Sequence, residues 1–228
     1  GLLAAGQLGE IHHFDGTTWR KQFDLLMDIT LLSLWSDGRG TLVAAGDEGL
    51  ILSWDGADWH RMASGTRSAL FGLWGLDAEH LLAVGDFGLV QRWNGRTWDA
   101  FNAGTEHFLF DVWGRALDDI YVVGLSGTIG HFNGQRWTIT PARARKDLLA
   151  VTGTGTAVVT VGANGIAMVQ GQGQEQGQEQ GQGQGGWALD DTGRDEGLRA
   201  IAVGPDGCFH AAGDGGLILR RDPLDDDR

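Results

Sequence analysis

Cysteine is nearly absent: Cys208 is the only one in 228 residues. No intramolecular disulfide is possible, and Cys208 is expected to be a small buried thiol in an apolar strand. One cysteine leaves the compartment open, with a cytoplasmic and an exported protein both compatible. Proline occurs three times and tyrosine once, at Tyr121. Lysine and arginine number 17 against 30 acidic residues, a net charge of −13. A surface of that sign repels phosphates, so no nucleic-acid partner is expected. No run of 18 apolar residues occurs, so no membrane insertion is expected. No signal-peptide pattern is visible, although the first residue already lies inside a repeat and further sequence upstream is compatible with that. GxSxG, P-loop and HExxH patterns are missing as well. The seven histidines have no ligand spacing, and His12 and His13, adjacent in a strand, point to opposite faces. Neither metal nor cofactor is expected.

Glycine and tryptophan are what the chain has in excess, 39 and 10 residues. Their placement is periodic. GDFGLVQRWNGRTWDAFNAGTEHFLFDVW, from Gly85 to Trp113, is the clearest copy of a repeat. GDEGLILSWDGADWHRMASGTRSALFGLW, from Gly46 to Trp74, is another. The first glycine of a GxxG signature falls at 6, 46, 85, 124, 162 and 213. A period near 40 with strand-like content predicts a propeller. The last interval is longer because GQGQEQGQEQGQGQGG, 171–186, is inserted in the fifth copy; lacking any apolar residue, it is expected to be a flexible surface loop.

Each copy predicts four short strands, a to d. Strand a is 31–35, 70–74, 109–113, 148–152 and 198–202. Strand b is 2–6, 42–46, 81–85, 121–124, 158–162 and 209–213. Strand c follows each GxxG turn, and strand d opens on a tryptophan: Trp19, Trp59, Trp98, Trp137, Trp187. Asp15-Gly16, Asp55-Gly56, Asn94-Gly95 and Asn133-Gly134 link c to d as tight turns, since both residues tolerate positive φ. The first copy lacks strand a and the last lacks strand d. Six four-stranded units with incomplete ends are therefore predicted, in a single all-β propeller domain over 1–228. Seven blades are the alternative if upstream sequence is missing. The tryptophans fill repeat slots, which predicts packing between blades.

The run Val112-Trp113-Gly114, Asp119-Ile120-Tyr121-Val122-Val123-Gly124, Gly127-Thr128-Ile129, His131-Phe132-Asn133-Gly134 and Trp137 resembles the WD40/YVTN-type and BNR-like propeller repeats. It is especially similar to Trp-rich bacterial repeat proteins reading VWGxxxxDIYAVGxxGTIxHFDGxxW. The resemblance spans the chain and implies the fold without a particular function; such bacterial proteins are often exported. DGTTW, 15–19, is similar to the Asp-box of sialidases but has one residue fewer between Asp and Gly. A sialidase-like site also needs a tyrosine nucleophile, and Tyr121 sits in an inner-strand slot, so no enzyme activity is expected.

Departures from the repeat are the places to look for function. The d–a link of the first copy carries Leu25, Leu26 and Met27 where other copies are polar. The fourth carries Arg143, Arg145 and Lys146 in an acidic chain, and Phe87 and Leu125 stand at GxxG tips. In a propeller the d–a and b–c links emerge on one face. These eight residues are the expected partner surface, with apolar anchors beside basic groups suiting another protein. The expected role is a non-enzymatic interaction scaffold. A glycan-binding lectin-type propeller is the alternative, and it requires the d-strand tryptophans to be solvent-exposed. Asp47, Asp86 and Asp214, each after the first glycine of a GxxG turn, are expected to serve turn chemistry rather than a cation site.

Overall fold

The computed structural model describes residues 2–25, 27–142, 144–171 and 186–223. Among them are 22 strands and no α-helix. Sheet I holds β1 (Leu2–Ala5), β2 (Glu10–Phe14) and β3 (Trp19–Asp24). Sheet II holds β4 (Leu31–Ser36), β5 (Leu42–Gly46), β6 (Ile51–Trp54) and β7 (Trp59–Met62). Sheet III holds β8 (Leu70–Asp77), β9 (His80–Gly85), β10 (Val90–Trp93) and β11 (Trp98–Ala100). Sheet IV holds β12 (Leu109–Ala116), β13 (Asp119–Gly124), β14 (Thr128–Phe132) and β15 (Trp137–Pro141). Sheet V holds β16 (Leu148–Gly153), β17 (Ala157–Gly162), β18 (Ala167–Gly171) and β19 (Ala188–Asp190). Sheet VI holds β20 (Leu198–Val203), β21 (Phe209–Gly213) and β22 (Ile218–Arg221). Every sheet is antiparallel with strands in chain order, and the first and last have three strands, as the repeat predicts. Most of the inserted segment, 172–185, lies outside the described residues. The chain divides into two compact units, 1–102 and 103–228.

Strands b are the most apolar, and β5, β9, β13 and β17 are almost entirely buried. Strand a begins with a β-bulge in sheets II to VI: the register slips after Leu31, Leu70, Leu109, Leu148 and Leu198. One residue then leaves the ladder, and its side chain is re-aimed. The c–d turns work differently from the expectation. Only the glycine takes positive φ, from 83° at Gly134 to 104° at Gly56. The preceding Asp or Asn acts as an acceptor instead: Asp55 Oδ1 takes the N–H groups of Ala57 and Asp58, each at 2.8 Å. Asn94 Oδ1 takes those of Arg96 and Thr97, each at 3.0 Å.

Aromatic slots bind neighbouring sheets of one unit. The Trp35 indole donates to the Gly75 carbonyl at 3.1 Å, and the Trp113 ring lies where a Cβ on Gly153 would stand. Those glycines leave room for the ring. Trp59 is buried in the cluster between sheets I and II with Ile11 and Leu31. Trp98 is buried between II and III with Val43 and Leu70. Trp187 is buried between IV and V with Val123 and Leu148. In each case the tryptophan opening strand d fills the gap toward the preceding sheet.

Candidate functional site

The GxxG tips are built by two glycines with different tasks. The first is extended, so φ does not demand it. A Cβ on Gly46 would stand 2.0 Å from the Thr30 carbonyl oxygen, on Gly85 1.9 Å from that of Ala69, and on Gly162 2.0 Å from that of Asp147. Here glycine admits a close backbone approach to the start of strand a. The second glycine takes φ near +70° (67° at Gly49, 71° at Gly88). The residue just before the second glycine is left-handed as well: Leu8, Glu48, Phe87, Ser126 and Asn164 all have positive φ. Non-glycine residues seldom adopt this conformation, and it points the side chain away from the turn.

The residue after the first glycine turns inward instead. Asp47 and Asp86 accept the backbone N–H groups of Thr30 (3.3 Å) and Ala69 (2.9 Å), which is the expected turn chemistry. Asp214 pairs with Arg199 at 2.5 Å, and that hydrogen bond holds its carboxyl below the usual range.

In unit 1–102 this end of the sheets carries several exposed apolar side chains, with Glu48 at the tip of sheet II. Leu8 and Phe87 stand at tips, Met27 on the d–a link and Leu32 at the bulge of β4, and their exposure runs from 41% to 70%. Leu25 differs: it is half-buried, packs with the cluster between sheets I and II, and its N–H donates to Gly9. Leu26 lies outside the described residues. The repeat reading missed Leu8 and Leu32. Aligning the third position of each GxxG would have found Leu8 beside Phe87. Leu32 depends on the bulge, which no residue type announces.

In unit 103–228 the same end is polar. Leu125 occupies the slot of Asp47 and Asp86 and is half-buried, not a projecting tip; Asp147 closes that turn by accepting the Ser126 N–H at 2.8 Å. Arg145 is exposed with φ 46°, Lys146 donates to the Asn164 carbonyl at 3.3 Å, and Arg143 lies outside the described residues. The predicted residues thus fall in both units, with Met27 and Phe87 among the four exposed large apolar residues at the tip end of the first.

A further set of chemistry-bearing groups surrounds Tyr121. Tyr121 is buried, stacks on His131 at 4.4 Å, and burial pushes its hydroxyl up to about 12. His131 contacts Asp119 at 2.8 Å, Asp119 pairs with Arg115, and Arg115 lies over the Trp113 ring. Cys208 is buried, as expected, and burial raises its thiol, but it stands just before β21 and its sulfur meets Arg220 at 2.9 Å, so the site is polar and not an apolar strand. Among the described residues no three His, Cys, Asp or Glu side chains come together in a metal-ligating group.

No family model matches the chain, and no curated protein matches it. Among solved structures, one described as YCF48 bound to D1 peptide is similar, with a TM-score of 0.72 at 16% identity, covering 99% of this chain and 75% of that one. With the six antiparallel sheets in chain order, this likeness makes the fold class a β-propeller.

Proposed function

We propose that this protein is a non-catalytic interaction module that binds another protein through the apolar tip end of unit 1–102. The observation that carries this is the group Leu8, Met27, Leu32 and Phe87, large apolar side chains exposed at one end of sheets I to III. Two of them, Leu8 and Phe87, are held at positive φ, a conformation that costs about 1–2 kcal/mol for a residue with a Cβ. The turn imposes this conformation in every copy, and at Leu8 and Phe87 it presents an apolar side chain to solvent, which suits a partner surface. The similar propeller YCF48 is bound to a peptide, which supports a protein partner.

Burial of Trp59, Trp98 and Trp187 supports this reading over the glycan alternative, because a lectin with one site per sheet needs those rings open. Trp19 is 51% exposed, but it is the only d-strand tryptophan so placed among the described residues.

The test is affinity capture with the full chain and with Met27→Ser/Phe87→Ser. The double variant should lose the partner at least tenfold while melting as a folded protein. Phe87→Gly sharpens the test: stability should hold or rise by up to about 1 kcal/mol as strain is released, while binding falls. Saturable binding on a glycan array, abolished by Trp19→Ala, would move the function to the alternative.

A further inference from the structure

The link from β7 to β8 carries a concavity of about 350 Å³. Gly49, Arg61, Met62, Ser64, Thr66 and Arg67 are among the residues that line it. Local packing fixes its floor. The Thr66 carbonyl lies so close to Gly49 that a Cβ there would stand 2.3 Å from the oxygen. Ser64 is buried, and its hydroxyl donates to that carbonyl at 3.3 Å, while the Thr66 hydroxyl accepts the Ser68 N–H at 3.0 Å. The N–H groups of Gly65 and Arg67 meet no acceptor among the described residues. The link then ends on the tip of sheet III, where Asp86 accepts the Ala69 N–H and Phe87 follows.

The repeat does not require either arginine. In the next copy Ala100 stands in the slot of Arg61 and Glu106 in that of Arg67. That link still ends in the same way, with the Phe108 carbonyl taking the Leu125 N–H as the Ala69 carbonyl takes that of Asp86. Elsewhere Arg20, Arg115, Arg199 and Arg221 pair with carboxylates of this chain. Arg61 and Arg67 are exposed, and among the described residues their guanidinium groups meet no carboxylate, carbonyl or ring, in a chain with 30 acidic residues. Glu48, on the tip beside Gly49, pairs with neither. Planar guanidinium groups and unclaimed N–H groups around one concavity match a carboxylate, which accepts several charge-assisted hydrogen bonds at once.

We propose, resting on the reading of this end as a partner surface, that the concavity receives a carboxylate of the bound protein. The partner segment is then acidic and apolar together: Glu or Asp for Arg61 and Arg67, beside an aromatic or aliphatic residue for the Phe87 tip. This adds the sign of the partner's charge to the apolar anchors. The net charge of −13 repels acidic segments from most of the chain, so the two arginines also select where such a segment lands. All the residues involved lie in unit 1–102, on the tips of sheets II and III and the link between them.

The test is titration of the full chain, at low salt, with two labelled synthetic peptides, acetyl-EEFLEE and acetyl-QQFLQQ, read by fluorescence anisotropy. The acidic peptide should bind saturably and about fivefold or more tightly than the neutral one, a modest factor because both arginines are exposed. That advantage should shrink as salt rises. Arg61→Gln/Arg67→Gln should bring the two peptides to equal affinity with an unchanged melting temperature, whereas Arg145→Gln/Lys146→Gln should leave the preference intact. Phe87→Ser should weaken both peptides and preserve their ratio. Equal affinity of the two peptides for the natural chain, or a preference that survives Arg61→Gln/Arg67→Gln, overturns the proposal. If Phe87→Ser still weakens both in that case, the partner surface stands without its charge preference. Binding of neither peptide overturns the proposal too, and affinity capture with Met27→Ser/Phe87→Ser then decides the partner surface by itself. Displacement of the acidic peptide by an equal concentration of inorganic phosphate makes the occupant a free anion and overturns it as well.

Discussion

Two gaps within residues 103–228 share a backbone plan and differ in one side chain. Between sheets IV and V, Trp187 is buried with Tyr121 at 6.1 Å, edge to face. Between V and VI the equivalent space is a cavity of about 250 Å³, and the apolar contacts split into two smaller clusters, one around Leu198 and one around Phe209. The exposed surface reflects the same difference. Ile218 is 74% exposed, whereas its counterparts Ile11, Ile51 and Ile129 are buried. Strand d therefore adds to the packing of strands a, b and c a single large plug for each gap. A sheet lacking that strand keeps its ladder but loses both its plug and its cover.

The largest effect should come from emptying the filled gap. Trp187→Ala makes the IV–V gap resemble the V–VI gap and should cost about 3–5 kcal/mol in denaturant unfolding. A loss under about 1 kcal/mol would mean that the two gaps already have similar cohesion. A smaller gain should come from Ala167→Ile, which restores to the V–VI gap the residue that Ile51 and Ile129 supply elsewhere. Partial filling should stabilise by about 0.5–1.5 kcal/mol and raise the melting temperature.

A further effect is a pH dependence confined to one gap. Asp111 of β12 accepts the Val112 N–H and, across the IV–V gap, the Val151 N–H, both at 2.9 Å. Ser33 makes the equivalent tie between sheets II and III, accepting the Leu73 N–H at 3.0 Å, whereas Ala150 fills the slot facing sheet VI. Burial pushes the Asp111 carboxyl up to about 7. The folded chain then holds this proton to about pH 7, while the unfolded chain releases it near pH 4. Stability from this group is full below about pH 4, falls as pH rises to about 7, and is level above. Asp111→Ser should remove that slope in pH-resolved unfolding, and an unchanged slope would assign it to another group.

The candidate surface was legible only where it broke the repeat. Met27 and Phe87 are conspicuous because neighbouring copies carry small or polar residues there, and both are exposed. Leu25 breaks the repeat equally, yet it packs beside Gly9, because the sheet I–II cluster has room for it. Leu125 is also conspicuous and also turns partly inward, since its slot is the inward one of the tip. Residue type alone does not separate these cases. At the tips the separation comes from which of two adjacent residues is left-handed, and on the d–a link from which side chain the sheet I–II cluster takes in.

By itself the sequence determined the element inventory: 22 strands in six sheets, their chain order, and the incomplete first and last sheets. It could do so because strand propensity, alternation and the Asp-Gly and Asn-Gly turns are local, and six copies repeat one message. Tertiary structure alone decided which glycine serves close approach and which serves positive φ, which apolar residues stay in water, and where a cavity lies between two sheets. Those outcomes depend on atoms about 40 residues apart meeting across a gap, and no local pattern carries the shape of a space between two sheets.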